Sequence, residues 1–226
     1  MNKILEIFSK VNASKVIAPE INFDDYIPID FSESNSALQN SILEKASDYE
    51  NYIQNFLEKN NAKIAFGGYN ETRNLYKRSS VFNDNNSEER NIHIGLDLWI
   101  NEEVTIHATL DGEIHSFQNN SALGDYGPTI ILKHEINGLV FHTLYGHLSL
   151  ESLNDKKVGS KIKKGKKIGT LGLPPINGDY APHLHFQIII NMENKIGDYP
   201  GVTSKNNLEF YLKNCPNPES LLKITK

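Results

Sequence analysis

The chain predicts a mainly β protein: a compact antiparallel β-sandwich or barrel, with an N-terminal helical extension and a short C-terminal helix. Three observations carry this reading. From Ile92 onward, short runs of β-forming residues follow one another: Ile92–Trp99, Val104–Ala108, Gly112–Phe117, Thr129–His134, Leu139–Leu144, Lys167–Leu171 and Leu184–Ile190. Glycine turns separate many of them, at Asp111-Gly112, Asn137-Gly138 and Asn177-Gly178, and such spacing is the signature of an all-β fold. Before residue 79 the texture is different, with apolar residues recurring at steps of three and four, which is the helical period.

The spans follow from these shifts in texture. Residues 1–78 form the helical extension. Within them Leu38, Ile42, Ala46, Tyr49, Ile53 and Phe56/Leu57 make one apolar stripe, with Ser34 or Asn35 as N-cap and Asn60-Asn61 as stop. That is a single helix of about six turns, expected to lay its stripe on the main domain. Residues 79–91 are polar and turn-rich and read as a loop. Residues 92–191 are the β core, and 192–226 a tail in which Asn217-Pro218-Glu219 opens a last helix.

Composition narrows the function. At 226 residues and 25.5 kDa the chain makes one large domain or a domain with an appendage. A net charge of -5 and a pI near 5.9 speak against a nucleic-acid partner. Cys215 is the single cysteine, so no intramolecular disulfide holds the fold. The apolar start, Met1 to Ala18, is broken by Glu6 and Lys10, unlike a secretory leader. No apolar run approaches the roughly 20 residues that span a bilayer. The expected location is the cytoplasm, or the periplasm or exterior if a leader has been removed. Seven lysines between Lys156 and Lys167 form a local positive field, read as a solvated hairpin rather than an anion-binding face.

Histidine is the informative residue. All eight lie between His93 and His185. His93-Ile94-Gly95-Leu96-Asp97 sets a carboxylate four residues after an imidazole, with Gly95 favouring a bend into a strand. In His183-Leu184-His185 the strand period of two turns both imidazoles to one face and Leu184 to the other. His147, in Tyr145-Gly146-His147-Leu148, sits beside a glycine that marks a turn at a strand end. Imidazoles and a carboxylate are zinc ligands, and a catalytic zinc site takes three protein ligands and leaves a position for water. Other metal patterns do not fit. There is no His-Glu-x-x-His helix. Residue 95 is glycine where an iron facial triad would place its carboxylate, and Ile189-Ile190 stand where a cupin would have glutamate. His107, His115, His134 and His142 read as structural, with His134 the one that could border the site.

The order His-x-x-x-Asp, Tyr-Gly-His-Leu-Ser, Pro-His-Leu-His-Phe resembles the lysostaphin-type zinc metallopeptidases, a peptidoglycan endopeptidase family of the duplicated hybrid motif fold. The resemblance runs from about Arg90 to Ile190 and takes in Gly124-Asp125-Tyr126-Gly127 and the Val158-Gly159 to Ile168-Gly169 hairpin. It implies one zinc ion per chain, held by His93, Asp97 and His185, with His147 and His183 as the unligated catalytic pair. His183 would act as general base, and His147 as second base or as acid to the leaving amine. It further implies a zinc-dependent endopeptidase that acts on bonds between small residues of peptide or peptidoglycan-derived substrates. A non-enzymatic phosphocarrier-like or regulatory domain on the same fold is the alternative.

The chain departs from the family's pattern in three places. Leu173–Tyr180 replaces a glycine-rich turn, Gln187 stands where glutamate is common, and Ser80–Ile92 lacks the usual tyrosine. Tyr126, Tyr180 and Arg90 are its possible substitutes. Gly67-Gly68-Tyr69-Asn70-Glu71-Thr72-Arg73-Asn74-Leu75-Tyr76 resembles a segment found in a less-studied branch of these peptidases, beside kinase-like and aminotransferase domains, and as a strand or loop it would line one wall of the groove or form a turn that seats the N-terminal helix. There Glu71 or Arg73 would grip a peptide terminus, or Arg73 would form a surface ion pair.

Overall fold

The computed structural model describes residues 2–39, 43, 45–78, 88–100 and 104–225. Among them, helix α1 (Asn2–Lys10) leads to strand β1 (Tyr26–Pro28), helices α2 (Ser36–Gln39) and α3 (Ala46–Lys59), and strands β2 (Ile64–Gly67) and β3 (Glu71–Thr72). Strands β4 (Ile92–His93), β5 (Leu96–Trp99), β6 (Thr105–His107), β7 (Gly112–Asn120), β8 (Gly127–Ile136) and β9 (Leu139–Gly146) follow. The chain then forms β10 (Lys161–Ile162), β11 (Lys167–Thr170), β12 (His183–Ile189), β13 (Val202–Thr203), α4 (Leu208–Asn214) and α5 (Glu219–Leu222). The fold is thus mainly β with helices at both ends, as the turn spacing predicts.

An eight-stranded sheet in the order β1-β2-β5-β12-β9-β8-β7-β10 carries the structure. Its pairs are antiparallel except β1 with β2. Two small sheets complete it, β6 with β11, and β13-β4-β3. Strand β12 lies inside the main sheet, and its alternation sorts its side chains. Leu184, Phe186 and Ile188 are fully buried in the largest core with Leu98, Ile130 and Tyr145, each contributing about 1.5–3 kcal/mol by leaving water. His183, His185 and Gln187 are thereby turned to the other face. The β8–β9 hairpin turns on Asn137-Gly138, with φ of 52° and 75°, the two positive values a tight right-twisted hairpin needs.

Several expectations are corrected. The six-turn helix is two pieces: Leu43 between α2 and α3 is not helical, and α3 starts afresh at Ala46. The Asp48 carboxylate accepts the Lys45 N–H at 2.9 Å, capping a new first turn there. Helix α3 stops at Asn60 as expected, and Ile53 and Leu57 pack with Ala65 and Trp99. The segment before residue 79 also supplies strands, and β1 and β2 extend the main sheet. Of the polar loop 79–91, residues 79–87 lie outside the described residues. The lysine-rich strands do not pair with each other. β10 joins β7, whereas β11 joins β6 in a separate sheet. Within the run Lys161 reaches Glu113 at 2.6 Å and Lys163 reaches Asp111 at 2.9 Å, so part of its charge is neutralised.

Candidate metal centre

Strand register assembles the site. His185 on β12 stands opposite Asp97 on β5 and opposite Gly146 on β9. His183 stands opposite Trp99, and the two rings stack at 5.6 Å. His93 comes from the small sheet, across a bend at Ile94-Gly95 where the Ile94 N–H is held by the Gly201 carbonyl at 2.9 Å. Gly95 has a steric reason to be glycine: a Cβ there would lie 2.3 Å from His185 Cε1. Strand β9 ends at Gly146, as read from the glycine, and the turn puts His147 at a φ of 60°. That left-handed value is uncommon for a side-chain-bearing residue and is a known mark of functional positions.

His93, Asp97 and His185 are each almost wholly buried and offer ligand atoms that all lie within 4.8 Å of one another. His93 Nε2 is 2.9 Å from His185 Nδ1 and 3.3 Å from Asp97 Oδ1, and His185 Nδ1 is 3.1 Å from Asp97 Oδ1. Three donors on a tetrahedral ion, with bonds of about 2.0–2.1 Å, stand roughly 3.3 Å apart.

The partners on the far sides of the rings decide where the lone pairs are. His93 Nδ1 donates to the Gly68 carbonyl at 2.8 Å. Gln187 commits its amide nitrogen to the Pro200 carbonyl at 3.0 Å and Cys215 Sγ at 3.2 Å, so its carbonyl oxygen accepts from His185 Nε2 at 2.9 Å. His93 Nε2 and His185 Nδ1 are then two bare lone pairs facing each other beside a carboxylate oxygen. Without a cation between them they repel. With one they are ligands oriented by their hydrogen bonds, and the cluster fits a single metal ion.

The remaining two imidazoles follow the same logic. His147 Nδ1 donates to the Asn177 carbonyl at 2.7 Å, and His183 Nδ1 to the Ala181 carbonyl at 2.7 Å. Each keeps Nε2 for the groove. Their rings are 4.3 Å apart, and His183 Nε2 is 3.8 Å from Asp97 Oδ1. Burial pushes His93 down to about 4 and holds His147 and His183 below the ordinary imidazole range, so all three are neutral at pH 7. Burial opposes ionisation of Asp97, but His93, Arg73 and His183 outweigh it and keep the carboxyl well below its usual range.

The five residues line one groove of about 510 Å³. Phe31, Tyr49, Ile53 and Trp99, together with Gln118, Asp125, Ile196 and Asp198, also line it. His134 does not border it. Its two nitrogens are held by the Asp111 carbonyl at 2.8 Å and the Thr143 hydroxyl at 2.7 Å. Trp99 was not legible as a site residue, whereas Tyr76, from the Gly67–Tyr76 segment, does line the groove and lies parallel to the His93 ring at 6.4 Å. Of the tyrosines offered as substitutes, Tyr180 spends its hydroxyl on the Gly124 carbonyl at 2.7 Å, and Tyr126 reaches the far nitrogen of His185 at 3.3 Å. Arg73 forms no surface ion pair: it is 2 % exposed.

A buried His/His/Asp cluster on this β scaffold, beside a groove lined by two further imidazoles, is geometrically suited to a single metal ion. Residues 91–196, just under half of the chain, match the model of peptidase family M23. Among solved structures, lysostaphin from Staphylococcus simulans is 27% identical over 58% of this chain and 44% of its own, with a TM-score of 0.40. The crystallised lysostaphin catalytic domain is 24% identical over 74% of this chain and 98% of its own, also at 0.40. The catalytic domain of the prophage-encoded M23 protein EnpA from Enterococcus faecalis is 21% identical over 55% of this chain and 85% of its own, at 0.38. The chain thus spans less than half the length of the full lysostaphin chain. Comparison with curated proteins gave no match. No helix among the described residues is long and apolar enough to cross a membrane.

Proposed function

We propose that the protein is a zinc-dependent endopeptidase that hydrolyses peptide bonds between small residues, with peptidoglycan-type peptides as substrates. The observation that carries this is the convergence of three ligand atoms with two neutral imidazoles beside them. The antiparallel register of β5, β12, β9 and β8 supports the duplicated hybrid motif architecture. His93 Nε2, Asp97 and His185 Nδ1 would hold the ion. When bound, zinc polarises a carbonyl and lowers the pKa of a coordinated water.

The chain's other residues handle protons and position. His183 Nε2 faces the groove next to Asp97 and takes the proton of the attacking water. His147, held by Asn177 so that its unprotonated Nε2 points the same way, serves as second base, and once Nε2 has accepted a proton it can pass that proton to the leaving amine. Trp99, stacked on His183, keeps that ring from turning. The phosphocarrier reading leaves Asp97 without a role, whereas here its carboxylate stands within 3.3 Å of both ligand nitrogens.

The test is metal analysis of purified protein together with digestion of defined muropeptides and glycine peptides, read by mass spectrometry. About one zinc per chain and cleavage of one substrate set are expected. Absence of stoichiometric metal, or cleavage undiminished in Asp97→Ala, would overturn the proposal.

A further inference from the structure

Two of the three ligand side chains are held by a segment outside residues 91–196. The Gly68 carbonyl takes the His93 Nδ1 proton at 2.8 Å, and Arg73 Nη1 donates to Asp97 Oδ2 at 2.6 Å. The second contact decides which carboxylate oxygen is free. With Oδ2 bound to the guanidinium, Oδ1 is the atom that faces His93 Nε2 and His185 Nδ1.

Arg73 is itself fixed from several sides. Its Nε donates to Glu71 Oε1 at 2.5 Å, and Glu71 Oε2 accepts the Phe31 N–H at 3.2 Å. The guanidinium carbon lies 5.9 Å from the Phe31 ring and 5.7 Å from the Trp99 ring. Its backbone N–H is held by the Asn91 carbonyl at 2.8 Å. Nη2 packs on Gly68, where a Cβ would come within 2.0 Å of it, and has no hydrogen-bond partner among the described residues. Arg73 is 2 % exposed where it lines the groove.

We infer that Arg73 is a positioning residue of the metal centre: it fixes the Asp97 carboxylate so that Oδ1 completes the ligand triangle. This rests on the metal centre proposed above. A planar two-point donor suits the task because it clamps two carboxylates in one plane, which a lysine ammonium cannot do.

Charge and position have opposite consequences, which makes the inference testable. A guanidinium draws electron density from Asp97 and weakens it as a ligand, so if its charge were the whole effect, removing it would tighten metal binding. If it positions the carboxylate, removing it weakens metal binding, and replacing it by lysine does so even though the charge is kept. The experiment is zinc retention by the full chain under graded competition from a chelator, in wild type, Arg73→Lys and Arg73→Met, with thermal unfolding recorded for each. Retention is expected to fall about tenfold in the lysine variant and towards a hundredfold in the methionine variant, the range for loss of a ligand's hydrogen-bond partner. Cobalt(II) loading adds a readout that stability alone does not move: the ligand-field bands of folded Arg73→Lys should shift from those of wild type.

Wild-type retention or tighter, with unshifted cobalt bands in folded Arg73→Lys, overturns the inference. If Arg73→Met does not fold, the lysine variant decides alone. Wild-type protein that binds no zinc would instead sink the metal centre itself.

Discussion

Two groups of histidines, all buried but half-buried His115, share this scaffold and differ in where their nitrogens point. His93, His147, His183 and His185 each commit one nitrogen to a fixed acceptor and leave the other facing a common space beside Asp97. His134, on the far part of the main sheet, is held at both nitrogens, while His115 and His142 pack edge to face at 4.8 Å. Burial lowers the pKa of His93, His147 and His183 in the first group and of His115, His134 and His142 in the second. The distinguishing feature is convergence of unspent lone pairs on a carboxylate. Buried imidazole is therefore no signal of chemistry on its own.

The largest expected effect breaks the comparison directly. Asp97→Ala or His185→Ala should lose bound metal and lower hydrolysis by at least the ~10²–10⁴-fold typical of losing a proton-transfer group. His134→Gln should leave both untouched. Metal analysis and peptide cleavage on the three variants decide it, and a metal-free but active Asp97→Ala would erase the distinction.

His183→Gln and His147→Gln come next. Each should keep its metal, because neither ring belongs to the ligand triangle, while kcat falls by about 10²–10⁴. A zinc content that falls in step with kcat would move that histidine into the ligand set. Gly95→Ala is smaller. Its Cβ would press on the His185 ring at 2.3 Å, which costs about 1–3 kcal/mol of overpacking and displaces a ligand. Reduced metal affinity with His115 and His142 resonances unchanged is expected by NMR.

The core strands and the three histidine motifs were legible because each rests on local periodicity: two in His183-Leu184-His185, a glycine bend in His93 to Asp97. What was not legible is set by long-range register. Trp99 reaches His183 only because β5 and β12 pair with those two residues opposite. The split of α2 from α3 turned on one carboxylate, Asp48, taking an amide proton inside an otherwise continuous stripe. Strand β2 was not legible because four residues are too short for a period to show. The Arg73–Asp97 contact joins residues 24 apart in sequence, and nothing in composition distinguishes that arginine from a surface one.

The last and smallest effect concerns the second group of histidines and works through stability. Burial, then the charge of neighbouring His115, pushes His142 down to about 4. His115 and His134 are lowered as well, in each case chiefly by burial. In the unfolded chain these imidazoles titrate near 6.5. Between that value and about 4 the unfolded state binds protons that the native state refuses, so stability rises with pH across the window. The contribution is complete above the unfolded value and is lost progressively as pH falls from ~6.5 towards ~4. Metal-loaded protein should therefore show a melting temperature that is flat from pH 7 upward and declines below ~6.5. His142→Phe should make that decline shallower while leaving hydrolysis at neutral pH unchanged. An equally steep decline in His142→Phe would place the acid sensitivity in the metal-site histidines instead, and the two groups would then differ in chemistry but not in their share of the acid response.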